Sequence, residues 1–253
     1  MKRIKSLIKD TVSYIQDGNK VHFIIDEDDR PYWSKMLERS FVKDETGLKM
    51  YEKYKNQKNI AARDDKLKRF FDFISERNGV KVDLASGPSG YFSPVLDTLD
   101  KSDVFIATDA CPSVIAAHSE ACSKENFFVF DIDLDKGLPF YDECIDVFSG
   151  KLLNNVNNYD VLIGEVYRSL KYGGRFAVIE MFFEHGCKTF EHLNSQGAVW
   201  SSFETFVKFC ESTGFKHIGS DILQSRKGKI DSGDLYPLDE NDCWTERTVY
   251  FVK

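Results

Sequence analysis

The stretch that decides the fold is Val-Lys-Val-Asp-Leu-Ala-Ser-Gly-Pro-Ser-Gly, at residues 80–90. A short apolar strand runs up to Asp83 and breaks into small residues, and a helical pattern follows at about 92–99. Small side chains let a ligand approach the backbone, and the N–H groups that open a helix supply donors with partial positive charge. The stretch therefore predicts a strand–loop–helix turn that binds a ligand, although such turns are also Gly-rich for steric reasons alone.

Four further apolar runs alternate with helical patterns after this turn, at residues 104–108, 127–130, 144–149 and 175–180. Strands that alternate with helices are typical of a parallel, doubly wound sheet. The first run ends in Asp109, about 20 positions after the glycines, where such folds bind a ribose diol. A plain helix cap is the alternative interpretation of this residue.

Several segments share their wording with one enzyme family. Asp-Leu-Ala-Ser-Gly-Pro-Ser at 83–89 matches an Asp-Leu-Gly-x-Gly-x-Gly loop, and Asp109 matches an acidic residue after strand two. Asp131 and the Leu-Pro-Phe turn at 138–140 match a third motif, and Ile-Asp-Val-Phe at 145–148 matches a fourth. Glu-Val-Tyr-Arg-Ser-Leu-Lys-Tyr-Gly-Gly at 165–174 matches Glu-x-x-Arg-x-Leu-Lys-Pro-Gly-Gly. In this combination the chain resembles the class I S-adenosylmethionine-dependent methyltransferases, in their small-molecule, methyltransferase type 11-like branch.

The matches are not complete. Ala85 and Ser89 replace two loop glycines, and Tyr172 replaces the usual proline. Ala and Ser are small enough to preserve a close backbone approach. The Ser-Gly-Pro wording is also similar to that of small-amine N-methyltransferases, but three residues do not assign a substrate.

The resemblance implies an α/β fold with a doubly wound, seven-stranded, mostly parallel, Rossmann-like sheet whose last strand is antiparallel. We expect residues 64–253 to form this methyltransferase domain, with strands six and seven at 215–223 and 248–252. Residues 1–63 are expected to form a helical N-terminal extension or cap. Apolar residues at helical spacing predict that it begins with an amphipathic helix: Ile4, Leu7, Ile8, Val12 and Ile15.

The resemblance also implies the cofactor, S-adenosylmethionine, with S-adenosylhomocysteine as its product. Residues of the loop would hold the amino-acid part, Asp109 beside Ala110 would accept the ribose hydroxyls, and Ser149 would line the site near the sulfur. Asp131 with Ile132 would border the adenine. The predicted cofactor-binding residues are thus Asp83, Ala85, Ser86, Gly87, Asp109, Ala110, Asp131, Ile132 and Ser149.

The acceptor side is less defined by sequence. Strands four and five end near Ser149 and Glu180, so the polar segment at 150–158 and the insertion at 182–200 are expected to face the transferred methyl group. Glu180, His185 and His192 are the candidate general bases, with Glu180 and His185 preferred, although a surface or structural role is the commoner case for each histidine. Candidate substrate contacts are Tyr54, Lys151, Asn155, His192 and Trp200. The extension is expected to roof the opening with Tyr51 and Tyr54, or alternatively to act as a dimerisation arm.

Composition bounds the function. The 253 residues carry a net charge of −7, which argues against a nucleic-acid surface. No apolar run reaches transmembrane length, and the six cysteines and five histidines show no metal-ligand spacing. We therefore expect a cytoplasmic protein without a metal. The family resemblance adds the expectation of a monomer or homodimer that acts on a small molecule. A catalytically silent cofactor-binding protein is the alternative, and an NAD(P)-dependent oxidoreductase is disfavoured because its loop would read G-x-G-x-x-G.

Overall fold

A nine-stranded sheet runs through the part of the chain that the computed structural model describes, residues 2–39, 46–231 and 234–253. In chain order its strands are β1 (Ile15–Asp17), β2 (Lys20–His22), β3 (Val80–Leu84), β4 (Val104–Asp109), β5 (Phe127–Asp131), β6 (Ile145–Lys151), β7 (Leu170–Phe183), β8 (Lys216–Lys227) and β9 (Cys243–Val252). They lie in the order β1-β2-β5-β4-β3-β6-β7-β9-β8.

Helices cover both faces of the sheet. They are α1 (Lys2–Lys5), α2 (Tyr32–Leu37), α3 (Gly47–Ala61), α4 (Asp65–Ser75), α5 (Ser93–Leu96), α6 (Pro112–Ala121), α7 (Tyr159–Ser169), α8 (Lys188–Ser195) and α9 (Phe203–Thr213). Within these described elements no helix is long and apolar enough to cross a membrane.

The core lies on the two faces of the central strands. β4 and β5 are buried along their whole length, as expected for parallel strands that are covered on both sides. On one face α4 buries Leu67, Phe70, Phe71 and Ile74, which recur at helical spacing. On the other face α7 and α9 pack through apolar residues that include Leu162 and Phe206. The sheet is thereby rigid where its carboxyl ends carry polar side chains.

The predicted fold class is confirmed, including the antiparallel end of the sheet. β2, β5, β4, β3, β6 and β7 pair in parallel, and β9 runs antiparallel to both β7 and β8. The prediction of seven strands was wrong, because the N-terminal segment adds two more. A turn at Gly18, with φ of +61°, lets β1 and β2 form a hairpin that continues the sheet beyond β5.

The predicted amphipathic helix at the N-terminus is also wrong. α1 covers only residues 2–5, and Ile8 then forms an isolated antiparallel bridge with Phe140. Ile4 and Leu7 are buried in the core next to this bridge, whereas Ile15 is exposed in β1. The apolar spacing thus reflects burial of a short helix and of the non-helical segment after it, since tertiary contacts override a weak local preference.

Candidate functional site

A cavity of about 1240 Å³ opens over the carboxyl ends of β3, β4 and β6. Ligands of open α/β sheets bind at this edge. The cavity exceeds the ~300–1,000 Å³ that is usual for one drug-sized ligand, so it has room for two small molecules. Its lining includes Asp83, Ala85, Ser86, Gly87, Asp109, Ala110, Ile132, Ser149, Lys151 and Asn155. Ten of the residues that the sequence singled out are therefore brought together here.

The loop at residues 84–90, called the glycine loop below, wraps around the end of β3. Ala85, Gly87 and Gly90 all have positive φ angles, of 48°, 58° and 63°. The loop is tied to β4 because the backbone N–H of Ser86 donates to the carbonyl of Thr108 at 2.7 Å. The helix that follows, α5, has only four residues instead of the predicted eight or so, so backbone donors must come from the loop itself.

Asp83 lies at the end of β3 and is 7% exposed. Its two carboxylate oxygens accept hydrogen bonds from the hydroxyls of Ser86 and Ser149, each at 2.7 Å. Burial raises the pKa of Asp83 to about 6, although the two hydroxyls favour the ionised form and so oppose this shift. The result is a fixed negative group at the cavity wall, suited to a cationic ligand group.

Asp109 occupies the corresponding place at the end of β4. It accepts hydrogen bonds from the N–H groups of Gly87 at 2.9 Å and Cys111 at 2.7 Å, one at each oxygen. Burial raises the pKa of Asp109 to about 6, against the effect of these backbone donors. Each oxygen keeps a second lone pair, so the carboxylate can still accept two hydroxyl groups from the cavity. Asp109 is therefore both a cap and a candidate ligand group.

Asp131, which the sequence predicted to border the adenine, is not part of the cavity lining formed by the described residues. It is buried and accepts hydrogen bonds from Arg30 Nη1 at 2.8 Å, Arg30 Nη2 at 3.2 Å and His22 Nδ1 at 2.9 Å. Arg30 Nη1 also donates to the carbonyl of Ala110 at 2.6 Å, and the hydroxyl of Ser34 donates to the same carbonyl. The N-terminal segment is thereby fastened beside Asp109.

This fastening places α2 over the cavity. Its residues Tyr32, Trp33, Met36 and Leu37 belong to the lining, together with Ile132 below them. Glu38, just after α2, accepts hydrogen bonds from the Ser113 hydroxyl and the Ser113 N–H, so the segment is held at both ends. The extension does cover the site, through α2 and through Gln57 and Ile60 of α3, but not through Tyr51 and Tyr54.

The far end of the cavity combines an aromatic wall with a polar cluster. Lys151 Nζ lies 4.6 Å from the ring centroid of Tyr91 and 3.2 Å from Glu246 Oε1. Gln224 Nε2 donates to Glu246 Oε2 at 2.9 Å. Phe70, Phe71 and Ile74 of α4 supply apolar surface there. This end can hold a small molecule that has both an apolar body and a polar group.

The other predicted residues lie elsewhere. Glu180 is fully buried beneath the loop at 152–156, where it accepts from the Asn154 N–H at 3.2 Å and the Tyr159 hydroxyl at 3.3 Å. Burial raises the pKa of Glu180 to about 8. Four more predicted residues lie outside the cavity lining that the described residues form. His185 and His192 are exposed, whereas Tyr54 and Trp200 are buried in packing contacts.

Sequence reasoning missed Tyr91, Gln224 and Glu246. Tyr91 directly follows the glycine loop, which was a usable signal. Glu246 lies near the start of β9, and the first residues of an antiparallel strand meet the carboxyl ends of its parallel neighbours. No group of three or more possible metal ligands occurs among the described residues.

The strands and loops that carry Asp83, Asp109 and Ser149 match a known protein family. Residues 82–178, which span β3 to the middle of β7, match the model of a methyltransferase domain. No curated protein sequence matches the chain.

Solved structures resemble the greater part of the fold. A candidate methyltransferase from Bacillus halodurans C-125 has a TM-score of 0.52 at 14% identity, and the match covers 69% of this chain and 92% of that one. A candidate methyltransferase from Haloferax volcanii, solved with a methyltransferase activator, has a TM-score of 0.53 at 16% identity, with 77% and 92% covered.

A third similar structure is the geranyl diphosphate C-methyltransferase from Streptomyces coelicolor A3(2), in complex with Mg²⁺, geranyl diphosphate and S-adenosylhomocysteine. Its TM-score is 0.53 at 11% identity, with 72% of this chain and 77% of that one covered. At such identities the likeness concerns the fold alone. The match to a methyltransferase domain rests on the family model and covers residues 82–178. The resemblance seen in the sequence is thus confirmed: residues 82–178 match a methyltransferase domain, and the fold is that of the class I S-adenosylmethionine-dependent methyltransferases.

Proposed function

We propose that this protein transfers a methyl group from S-adenosylmethionine directly to a small molecule bound in the same cavity. The observation that carries the proposal is the meeting of Asp83, Asp109 and the glycine loop at the wall of one large cavity. When bound, the cofactor supplies an electrophilic methyl group on a positively charged sulfur. The residues of the chain have to bind the cofactor and the acceptor, orient them towards each other and keep water away from them.

The residues present fit this cofactor. The carboxylate of Asp83 suits the ammonium group of its amino-acid part, and Asp109 retains the lone pairs to accept two ribose hydroxyls. Ala110 and Ile132 offer apolar surface for the adenine, with Met36 and Leu37 of α2 above them. Because Asp131 is committed to Arg30, adenine recognition is proposed to rest on this apolar sandwich and on backbone groups.

The acceptor is proposed to bind at the end of the cavity formed by Tyr91, Lys151, Gln224 and Glu246. Lys151 was expected in this role from the sequence, and Asn155 lines the rim nearby. Glu246 replaces Glu180 and His185 as the candidate to hold or accept an acceptor proton, since its side chain is 13% exposed and reaches the cavity. A concave cavity of this size favours a small acceptor over a macromolecule.

Calorimetric titration of the purified protein tests the first step. We expect S-adenosylhomocysteine to bind and to raise the melting temperature, and NAD to do neither. Binding of NAD without binding of S-adenosylhomocysteine would refute the proposal.

Transfer of a radioactive methyl group from S-adenosylmethionine to a panel of small acceptors tests the second step. Turnover with any member supports catalysis. Tight cofactor binding without turnover across the panel would favour a catalytically silent binding protein.

A further inference from the structure

A histidine on α6 lies directly behind the glycine loop, on the side away from the cavity. His118 is fully buried, with Nε2 3.0 Å from the carbonyl oxygen of Gly87 and Nδ1 2.7 Å from the hydroxyl of Tyr54. A carbonyl oxygen only accepts, so Nε2 must carry the hydrogen. Nδ1 therefore accepts from the Tyr54 hydroxyl, and the direction of both hydrogen bonds is fixed.

The neutral form of this ring is stable at ordinary pH. Burial lowers the pKa of His118 to about 4, in spite of its bond to Gly87. The ring is also packed tightly, because its centroid lies 5.1 Å from that of Phe92 and 5.8 Å from that of Tyr54. His118 thus has one tautomer and one orientation.

Tyr54 is attached to the glycine loop in two further ways. Its backbone carbonyl accepts a hydrogen bond from the hydroxyl of Ser93 at 3.1 Å, just after the loop. Its ring fills the space beside Gly90, where a Cβ atom would come within 2.5 Å of Tyr54 Cδ1. Tyr54 belongs to α3, so these contacts join the N-terminal segment to the loop.

The peptide groups around Gly87 are held from both sides. The Gly87 N–H donates to Asp109 on the cavity side, while the Gly87 carbonyl accepts from His118 on the core side. Gly87 has a φ of +58° and is followed by Pro88. Because proline has no backbone N–H, the peptide group between them offers a carbonyl acceptor and no donor. Losing either bond leaves a partly buried polar group unpaired and frees the peptide group that made it to rotate.

We propose that Tyr54 and His118 are positioning residues for cofactor binding, which act through a fixed hydrogen-bond chain from the Tyr54 hydroxyl through His118 to the Gly87 carbonyl. The inference rests on the proposed function. It connects Tyr54 to the cofactor site although Tyr54, unlike Gln57 and Ile60 of the same helix, does not line the cavity. Because coupling between two sites is reciprocal, cofactor binding must in turn stabilise α3 around Tyr54.

The test is calorimetric titration of S-adenosylhomocysteine into matched variants of the full chain. Tyr54→Phe removes only the hydroxyl, and we expect its affinity to fall about 5- to 30-fold. Tyr51→Phe is the control, because Tyr51 is exposed one turn earlier on the same helix and should bind like wild type. His118→Leu should lose affinity, whereas His118→Gln should retain much of it, since its amide N–H can still donate to Gly87.

A merely structural role predicts a different result. Tyr54→Phe would then melt at a lower temperature but bind S-adenosylhomocysteine as tightly as wild type, and this result overturns the inference. If the variants fail to fold, hydrogen exchange of wild type decides: bound S-adenosylhomocysteine should slow amide exchange at residues 51–55, and unchanged exchange there overturns the inference. Failure of wild type itself to bind refutes the proposed function, and the inference falls with it.

Discussion

At the scale of single residues, Asp109 shows how one carboxylate serves structure and ligand together. Its oxygens cap the N–H of Cys111 and anchor the N–H of Gly87, so the interpretation as a cap and the interpretation as a ribose contact are compatible. The sequence predicted this residue correctly as a cavity residue because its signal is local: a buried strand and the position where that strand ends. Asp131 gave the same local signal, but Arg30, 101 positions away, takes up its carboxylate.

Replacement of Asp109 by alanine tests the assigned role. We expect Asp109→Ala to weaken binding of S-adenosylhomocysteine by about 1.5–3 kcal/mol, the range for a lost hydrogen bond to a charged group. Calorimetric titration measures this, and circular dichroism checks that the sheet persists. Asp97→Ala, at an exposed carboxylate, is the control. Wild-type affinity in Asp109→Ala would mean that the carboxylate is only a cap.

At the scale of elements, the N-terminal segment was the least predictable part of the chain. Tyr51 and Tyr54 were predicted to cover the opening, but α2 lies over it instead, because Arg30 and Ser34 donate hydrogen bonds to the carbonyl of Ala110. Helix α2 has six residues, too short to be stable without such contacts, so its position depends on partners distant in sequence. The sequence pattern predicts a helix at residues 32–41, of which residues 40 and 41 lie outside the described part of the chain. The division of the chain into residues 1–63 and 64–253 stays a prediction.

Breaking the Arg30–Asp131 contact tests whether α2 belongs to the cofactor end of the site. We expect Arg30→Gln to reduce the affinity for S-adenosylhomocysteine about tenfold or more. The substitution removes the anchor that holds α2 beside Asp109, and it leaves the buried carboxylate of Asp131 with fewer partners. Fluorescence titration of the full chain measures the affinity. Lys35→Gln, a change at a lysine of α2 whose ammonium bonds an exposed backbone carbonyl, should bind like wild type. An unchanged affinity in Arg30→Gln would show that the segment covers only the acceptor end.

At the scale of the whole molecule, the central sheet was predictable because parallel buried strands are continuous apolar runs. Its nine-stranded width was not, since β1 and β2 have three residues each and little pattern of their own. The acceptor end was predicted only at Lys151 and Asn155. Apart from Tyr91, which follows the glycine loop, its other residues come from α4, β8 and β9, which meet through the fold and not through any spacing in the chain.

Buried titratable groups in the cavity wall and behind it give the whole molecule an unusual pH dependence. Burial raises the pKa of Asp83 and Asp109 to about 6 and that of Glu180 to about 8. For such groups the folded state binds protons more tightly than the unfolded state, so their stabilising effect is lost as pH rises through these values. His118 acts in the opposite sense, because its pKa is lowered to about 4 and stability is lost as pH falls from about 6.5 towards that value.

Three raised carboxyl groups against one lowered histidine predict that the ligand-free protein is more stable near pH 5.5 than at pH 8. Calorimetric melting temperatures across this range measure the effect, and Glu180→Gln should flatten the fall between pH 6.5 and 8. S-adenosylhomocysteine should stabilise the protein more at pH 7.5 than at pH 5.5, because binding its ammonium and ribose hydroxyls needs the ionised carboxylates. A ligand-free melting temperature that rises steadily from pH 5.5 to 8 would contradict this account, since it would mean that these carboxyl groups are ionised in the folded state without the cost that their burial implies.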